Sequence, residues 1–180
     1  MCTLENKAAF ITGGGQGIGR GIALELAKAG AAVIVTQRNL EGAKAVAAEI
    51  EALGGRAIAL TLDVSQTASI NHCIGAAFEA FPHIDILVNN AGVAQQHFAL
   101  DTTVDTFDHC YEVNLRGAWA VVNAFIPQFK QNKAGKIINI ASIEGRKGTF
   151  HQPAYAASKA ALISLTQSLA TILGPENINV

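Results

Sequence analysis

The sequence predicts an α/β protein: an open, doubly wound parallel sheet with helices on both faces. Three observations carry that expectation. Short apolar runs alternate with longer segments of helical period. Each run is nearly continuous in apolar residues, as strands covered on both faces should be. The first run also passes through a cluster of glycines straight into a helical pattern. The 180 residues, half of them hydrophobic and 15% charged, suffice for one domain spanning 1–180 with a core of its own.

In chain order, the strand candidates are Ala8–Thr12, Ala32–Thr36, Ala57–Leu62, Ile84–Asn89 and Lys136–Ala141. Ile18, Ile22 and Leu26 follow the glycines at helical spacing. The same period recurs in Ala43, Val46, Ala47, Ile50 and Leu53, and again in Ile70, Ile74, Ala77, Phe78 and Phe81. A longer helical stretch runs from Val104 to Lys130. Another runs from Pro153 to Leu173, with Leu162, Leu165, Leu169 and Ile172 as its apolar stripe, and Gly174-Pro175 stops it. Asn177 to Val180 reads as the start of a sixth strand. Right-handed crossovers wind such units into a sheet whose ligands sit at the carboxyl ends of the strands, so the functional residues are sought there.

Composition removes several classes of function. With 13 Lys and Arg against 14 Asp and Glu, a net charge of -1 and no basic run, the chain lacks the surface that grips nucleic acid or anionic lipid. Apolar stretches such as Ala31–Val35 fall far short of the ~20 residues of a membrane span, and the N-terminus has no signal layout, so a cytoplasmic location is expected. Cys2, Cys73 and Cys110 form no CxxC pair and read as reduced packing residues. His72, His83 and His109 show no ligand grouping, and no metal is expected.

The glycine cluster is Thr12-Gly13-Gly14-Gly15-Gln16-Gly17-Ile18-Gly19. Glycines let a backbone turn tightly and approach a pyrophosphate, while the free amides and positive dipole end of the next helix attract the anion. Neither the GxGxxG fingerprint nor a P-loop is satisfied. The second strand ends in Thr36-Gln37-Arg38-Asn39, where dinucleotide-binding folds hold the adenosine ribose. No carboxylate stands there to repel a 2′-phosphate, and the Arg38 guanidinium can fork onto one. NADP is therefore favoured, with NAD as the alternative if Gln37 bonds the ribose hydroxyl.

Tyr155 and Lys159 are four residues apart in the last long helix, so their side chains leave one face a turn apart. A tyrosine hydroxyl titrates at about 10 and is a poor base near neutrality, but an adjacent ammonium stabilises the phenolate. Ser142 ends the fifth strand at the ligand-bearing edge and can donate to the same substrate oxygen. No GxSxG elbow surrounds it, which argues against acyl transfer. Asn114 falls inside the first long helix, a position its side chain does not favour.

The TGxxxGxG spacing, Asp63-Val64 after the third strand, Asn89-Asn90-Ala91-Gly92 after the fourth, Asn114, and Ser142 with Tyr155 and Lys159 occur in order along nearly the whole chain. Together they resemble the short-chain dehydrogenase/reductase family, whose fold is Rossmann-like. The resemblance implies an oxidoreductase that moves a hydride between NAD(P) and an alcohol or carbonyl substrate, with Tyr155 as general acid and base, Ser142 polarising the oxygen, and Lys159 tuning the tyrosine and bonding the nicotinamide ribose. Asn114 would hold a kinked helix and a water leading to the lysine. Cofactor contacts are expected from Gly13, Gly15, Gln16, Gly17, Ile18, Gly19, Gln37, Arg38, Asp63, Val64, Asn90, Ala91, Gly92, Tyr155 and Lys159. Of these, Asp63 would accept from the adenine amino group. The resemblance also implies a homo-oligomer, a dimer or tetramer packed through the two long helices.

Glu144, Arg146, His151, Gln152 and His97 are candidates for the border of the substrate pocket, although an ordinary polar loop is the simpler account of each. Typical members continue past the position of Val180 with elements that cover the substrate. The 180-residue segment is accordingly expected to be an incomplete domain, weak or inactive in isolation. The alternative is a dinucleotide-binding or assembly module without turnover. Sugar epimerases and dehydratases share the Tyr-xxx-Lys pair but space their glycines differently.

Overall fold

A computed structural model describes residues 3–94 and 101–180. Cys2 and His97 lie outside the described residues. Among the described residues six parallel strands form one sheet in the order β3-β2-β1-β4-β5-β6: β1 Ala8–Thr12, β2 Ala32–Gln37, β3 Arg56–Thr61, β4 Ile86–Asn89, β5 Gly135–Asn139 and β6 Ile178–Asn179. The chain first winds outward from β1 through β3 and then crosses back to β4. Strand order therefore reverses between β1 and β4, and a crevice opens at their carboxyl ends.

Helices cover the two faces. On one, α1 (Gly17–Lys28) and α2 (Leu40–Ala52) bury Ala23, Ala43, Val46 and Ile50 against Ala9, Ile11, Val33, Val35 and Val88. On the other lie α3 (Thr67–Ala80), α4 (Val104–Tyr111), α5 (Ala118–Asn132) and α6 (Pro153–Leu173). Phe125, fully buried, is the hub of this side: its ring lies 5.1 Å from Phe10, 5.3 Å from Phe78 and 5.6 Å from Phe129 between centroids. Such tilted and edge-on pairs add to the area they bury.

The stretch from Val104 to Lys130 is helical, but not uniformly so. Thr103 caps its start by accepting from the Thr106 amide at 3.2 Å. Residues Glu112–Gly117 then widen into a π turn before α5 resumes and runs on to Asn132. In α6 the bounds agree with the sequence reading: Pro153 occupies the first turn, where a missing N–H costs nothing, and Gly174 opens a 3-10 turn that ends the helix. Among the described residues α6 is the one helix long and apolar enough to cross a membrane, yet it also buries Ser158 and Lys159 and packs on the sheet.

Several expectations about burial are corrected. Leu53 is the C-cap of α2 and stands exposed, beyond the stripe that ends at Ile50. In α6 Leu173, not Ile172, is buried, because positions 162, 169 and 173 stay on the core face of a 3.6-residue helix while 172 rotates outward. The strands are not uniformly covered either. β3 is an edge strand and only half-buried, and Ile138 of β5 is 44% exposed, since α1 and α2 pack on β1, β2 and β3 and leave that part of the face open.

Candidate active site

The glycine loop is held from three directions. Gly14 N donates to Thr36 O at 2.9 Å. The Asn90 side-chain amide donates to Thr12 O at 3.1 Å and to Gly13 O at 3.0 Å. The Thr12 hydroxyl in turn accepts from the Asn90 and Ala91 amides at 3.0 and 2.9 Å. Gly13 takes a φ of +65°, which glycine tolerates, and a Cβ on Gly19 would strike the Gly13 carbonyl, so α1 can approach the loop only with glycine there.

Helix α1 then starts at Gly17 with no side-chain cap on Gln16 and no carboxylate in its first turn. Its first amides are left to an anion. Beyond the loop, a cleft of about 390 Å³ is lined by Gly13, Gln16, Gly17, Ile18 and Gly19, then by Gln37, Arg38 and Asn39, then by Asp63 and Val64, and finally by Asn90, Ala91 and Gly92. The expected cofactor residues thus share one crevice, apart from Gly15, which faces the Gln37 amide, and the pair on α6.

Charge along this cleft is graded. Arg38 is exposed and joins no ion pair among the described residues. The Gln37 side chain lies against Gly15 and Gly42, with its oxygen buried and unpartnered. Asp63 accepts from the Ser65 amide at 2.9 Å and the Ser65 hydroxyl at 2.7 Å through one carboxylate oxygen. Burial works to raise the Asp63 pKa, but the Ser65 hydrogen bonds and the positive charges of Arg38 and His109 outweigh it and hold the carboxyl below its ordinary range. Uncapped helix amides, an exposed guanidinium and a stabilised carboxylate along one cleft fit a dinucleotide.

Asn114 and Lys159 stand beside Gly92, which lines this cleft, while Ser142 and Tyr155 are not part of its lining. Lys159 is 4% exposed. Its Nζ donates to Ile140 O, just past β5, at 2.7 Å and stands 5.8 Å from the Tyr155 ring centroid. Burial lowers its pKa to about 8. Gly92 packs beside it: a Cβ there would come within 3.1 Å of Asn114 Oδ1 and 3.4 Å of the lysine Nζ. Ser142 opens the short 3-10 turn Ile143–Gly145, and its Oγ accepts from the Glu144 amide at 3.2 Å. A Cβ on Gly145 would crowd the Lys159–Ala160 backbone, so the serine turn and the lysine are packed directly together.

Asn114 sits in the π turn and is almost wholly buried. Its amide closes a two-way clamp on Val93, accepting from Val93 N and donating to Val93 O, both at 2.8 Å. It also donates to the Ser158 hydroxyl at 3.0 Å, which donates in turn to Tyr155 O at 2.7 Å. The sequence reading missed Ser158; its one signal was a hydroxyl three residues after Tyr155 on a helix face expected to be buried. Of the pocket-border candidates, Glu144 is half-buried, while Arg146 and His151 are exposed.

Residues 7–180 match the family model for short chain dehydrogenase. The chain belongs to the short-chain dehydrogenase family. This short-chain dehydrogenase is 38% identical over 180 residues to the L-rhamnose 1-dehydrogenase (NAD(P)(+)) of Sphingomonas sp. (strain SKA58), covering 99% of this chain and 71% of that protein. It is 40% identical over 178 residues to the sorbitol dehydrogenase of Cereibacter sphaeroides, covering 98% of this chain and 68% of that one. A crystal structure of a short-chain type dehydrogenase/reductase from Mycobacterium marinum superposes with a TM-score of 0.94 at 32% identity, over 99% of this chain and 71% of that chain. The enzyme is an NAD(P)-dependent oxidoreductase of Rossmann-like fold.

Proposed function

We propose that this short-chain dehydrogenase interconverts a small-molecule alcohol and its carbonyl, with Tyr155 as the proton-transferring residue. The observation that carries the reading is the buried Lys159 ammonium, 5.8 Å from the Tyr155 ring and one helical turn away. A bound nicotinamide supplies hydride acceptance in the oxidation and hydride donation in the reduction. In the oxidation, Tyr155 takes the proton from the alcohol oxygen; in the reduction it returns one. Ser142 donates a hydrogen bond to that oxygen and fixes its position. Lys159 favours the phenolate electrostatically, and with its pKa near 8 it remains mostly an ammonium at neutral pH. Asn114 acts through its neighbours: it holds the Gly92–Val93 backbone against the lysine and, through Ser158, the turn of α6 that carries Tyr155.

The cofactor preference follows from Arg38. An exposed guanidinium, unpaired among the described residues, at the carboxyl end of β2 beside a neutral Gln37 favours NADP over NAD. Assembly as a homo-oligomer is supported by a groove of about 690 Å³ between the Val104–Asn132 helix and α6, lined by Tyr111, Leu115, Trp119, Ala161 and Leu165, with Trp119 41% exposed. A second copy laid along the two helices would cover it.

Three measurements test these readings. Tyr155→Phe is expected to abolish turnover on alcohols and ketones while leaving dinucleotide affinity nearly intact, and full activity in that variant would overturn the assignment. Arg38→Asp should weaken NADP binding by about tenfold or more relative to NAD in a fluorescence titration; equal effects on both would refute the preference. Trp119→Glu should shift the mass seen by light scattering to that of one chain, and an unchanged mass would rule out this interface.

A further inference from the structure

Resting on the oxidoreductase reading above, we infer that Thr166 and Asn139 are positioning residues for the Lys159 ammonium: their side-chain hydrogen bond fixes α6 against the end of β5 where the lysine is held. Among the described residues two hydrogen bonds join α6 side chains to that strand end. One runs from Lys159 Nζ to Ile140 O at 2.7 Å, and the other from Asn139 Nδ2 to Thr166 Oγ1 at 2.9 Å. Asn139 and Ile140 are adjacent in the chain. Lys159 and Thr166 lie two turns apart on one face of α6. Strand and helix thus close a ring through both contacts, and the neutral link sets the distance that the charged one has to span.

The neutral link belongs to a row with a single polarity. Thr166 Oγ1 donates its one proton to Leu162 O at 2.7 Å, so toward β5 it can only accept. Asn139 therefore turns its amide nitrogen to the threonine and its oxygen to Asn89, its register partner on β4. Asn89 Nδ2 donates to that oxygen at 2.9 Å. The Asn89 carbonyl in turn accepts from Ile140 N at 2.9 Å, so the residue that receives the lysine is itself tied to β4. Asn89, Asn139 and Thr166 carry no ionisable group, and the row keeps its form whether Lys159 is charged or neutral. A lysine on four rotatable bonds does not locate its charge with one hydrogen bond unless the backbone at both ends of that bond is already fixed. Valine at position 166 keeps the shape of the side chain but removes the acceptor, leaving the Asn139 amide without its partner.

The test follows the ¹³Cε titration of Lys159, and turnover on alcohols and ketones with NADP, in the wild type, Thr166→Val, Thr166→Ser and Asn139→Ala. In Thr166→Val the Lys159 midpoint is expected to move up from near 8 toward the ordinary 10.5, because an ammonium released from Ile140 O reaches water. The kcat of that variant is expected to fall about tenfold. Thr166→Ser, which keeps the hydroxyl, should hold both quantities at their wild-type values. Thr166→Val combined with Asn139→Ala should do no more than Asn139→Ala alone, since each removes the same link. A midpoint that stays near 8 or falls in Thr166→Val, or one that moves equally in Thr166→Ser, would overturn the inference. So would a lowered melting temperature with titration and kcat unchanged, the mark of a purely structural contact. Should Thr166→Val fail to fold, Asn139→Ala reads the link from the strand side against the same outcomes. The titration needs no turnover, so the two readings fail separately. A midpoint that moves in Thr166→Val, in a protein that turns over no alcohol or ketone, would fault the oxidoreductase reading and leave this one standing; an unmoved midpoint in an active enzyme would do the reverse.

Discussion

The carboxyl edge of the sheet is organised around one buried ammonium. Lys159 carries its charge into a helix-to-sheet interface where a single carbonyl, that of Ile140, accepts from it among the described residues. Three N–H donors with one partner leave the group under-solvated, and burial pulls its pKa down to about 8. The value is low enough to show the strain on the charge and high enough to keep it at neutral pH. The Tyr155 ring, one turn away and 5.8 Å from that nitrogen, lies beside a positive charge that water screens poorly.

That arrangement depends on the π turn of residues 112–117, which serves both ends of the crevice. Toward the lysine it presents Asn114, whose amide is spent wholly on Val93 and Ser158. Toward the far end it presents Gly117, so close to Val64 that a Cβ would meet the Val64 carbonyl at 2.7 Å, and Arg116, which donates to Ser65 O at 2.5 Å. The turn holding Asp63 and the loop holding Gly92 thus rest on the same six residues. A π turn in a long helix marks a place where regular spacing has been given up for a specific contact, and here two such contacts share it.

Much of this was legible in the sequence, because backbone chemistry left few alternatives. The strand, glycine loop and helix from Ala8 to Lys28 follow from the glycines and the apolar run, and the start of α6 from Pro153. The four-residue spacing of Tyr155 and Lys159 puts both on one face of any helix that forms there. What was not legible depends on neighbours remote in sequence. The apolar spacing shows no break in Glu112–Gly117; the resemblance pointed to a kinked helix at Asn114, but the widened turn and its packing against Val64 and Val93 appear only in the fold. Ser158 reads as any small helical residue until Asn114 arrives, 44 positions earlier in the chain, to bond it. Ile138 and β3 read as fully covered strands, and only the sheet order shows which of them α1 and α2 fail to reach. The row from Asn89 through Asn139 to Thr166 is likewise a property of the assembled sheet edge and not of the residues around each in sequence.

The most direct measurement is the titration of Lys159 itself in the dinucleotide-free protein, followed by the ¹³Cε shift and assigned with Lys159→Arg. Burial against the end of β5 predicts a midpoint near 8, with the ammonium present below it and lost above. A midpoint at the ordinary lysine value of 10.5 would mean that the group is solvated, and would contradict the buried ammonium on which the proposed role of Tyr155 rests.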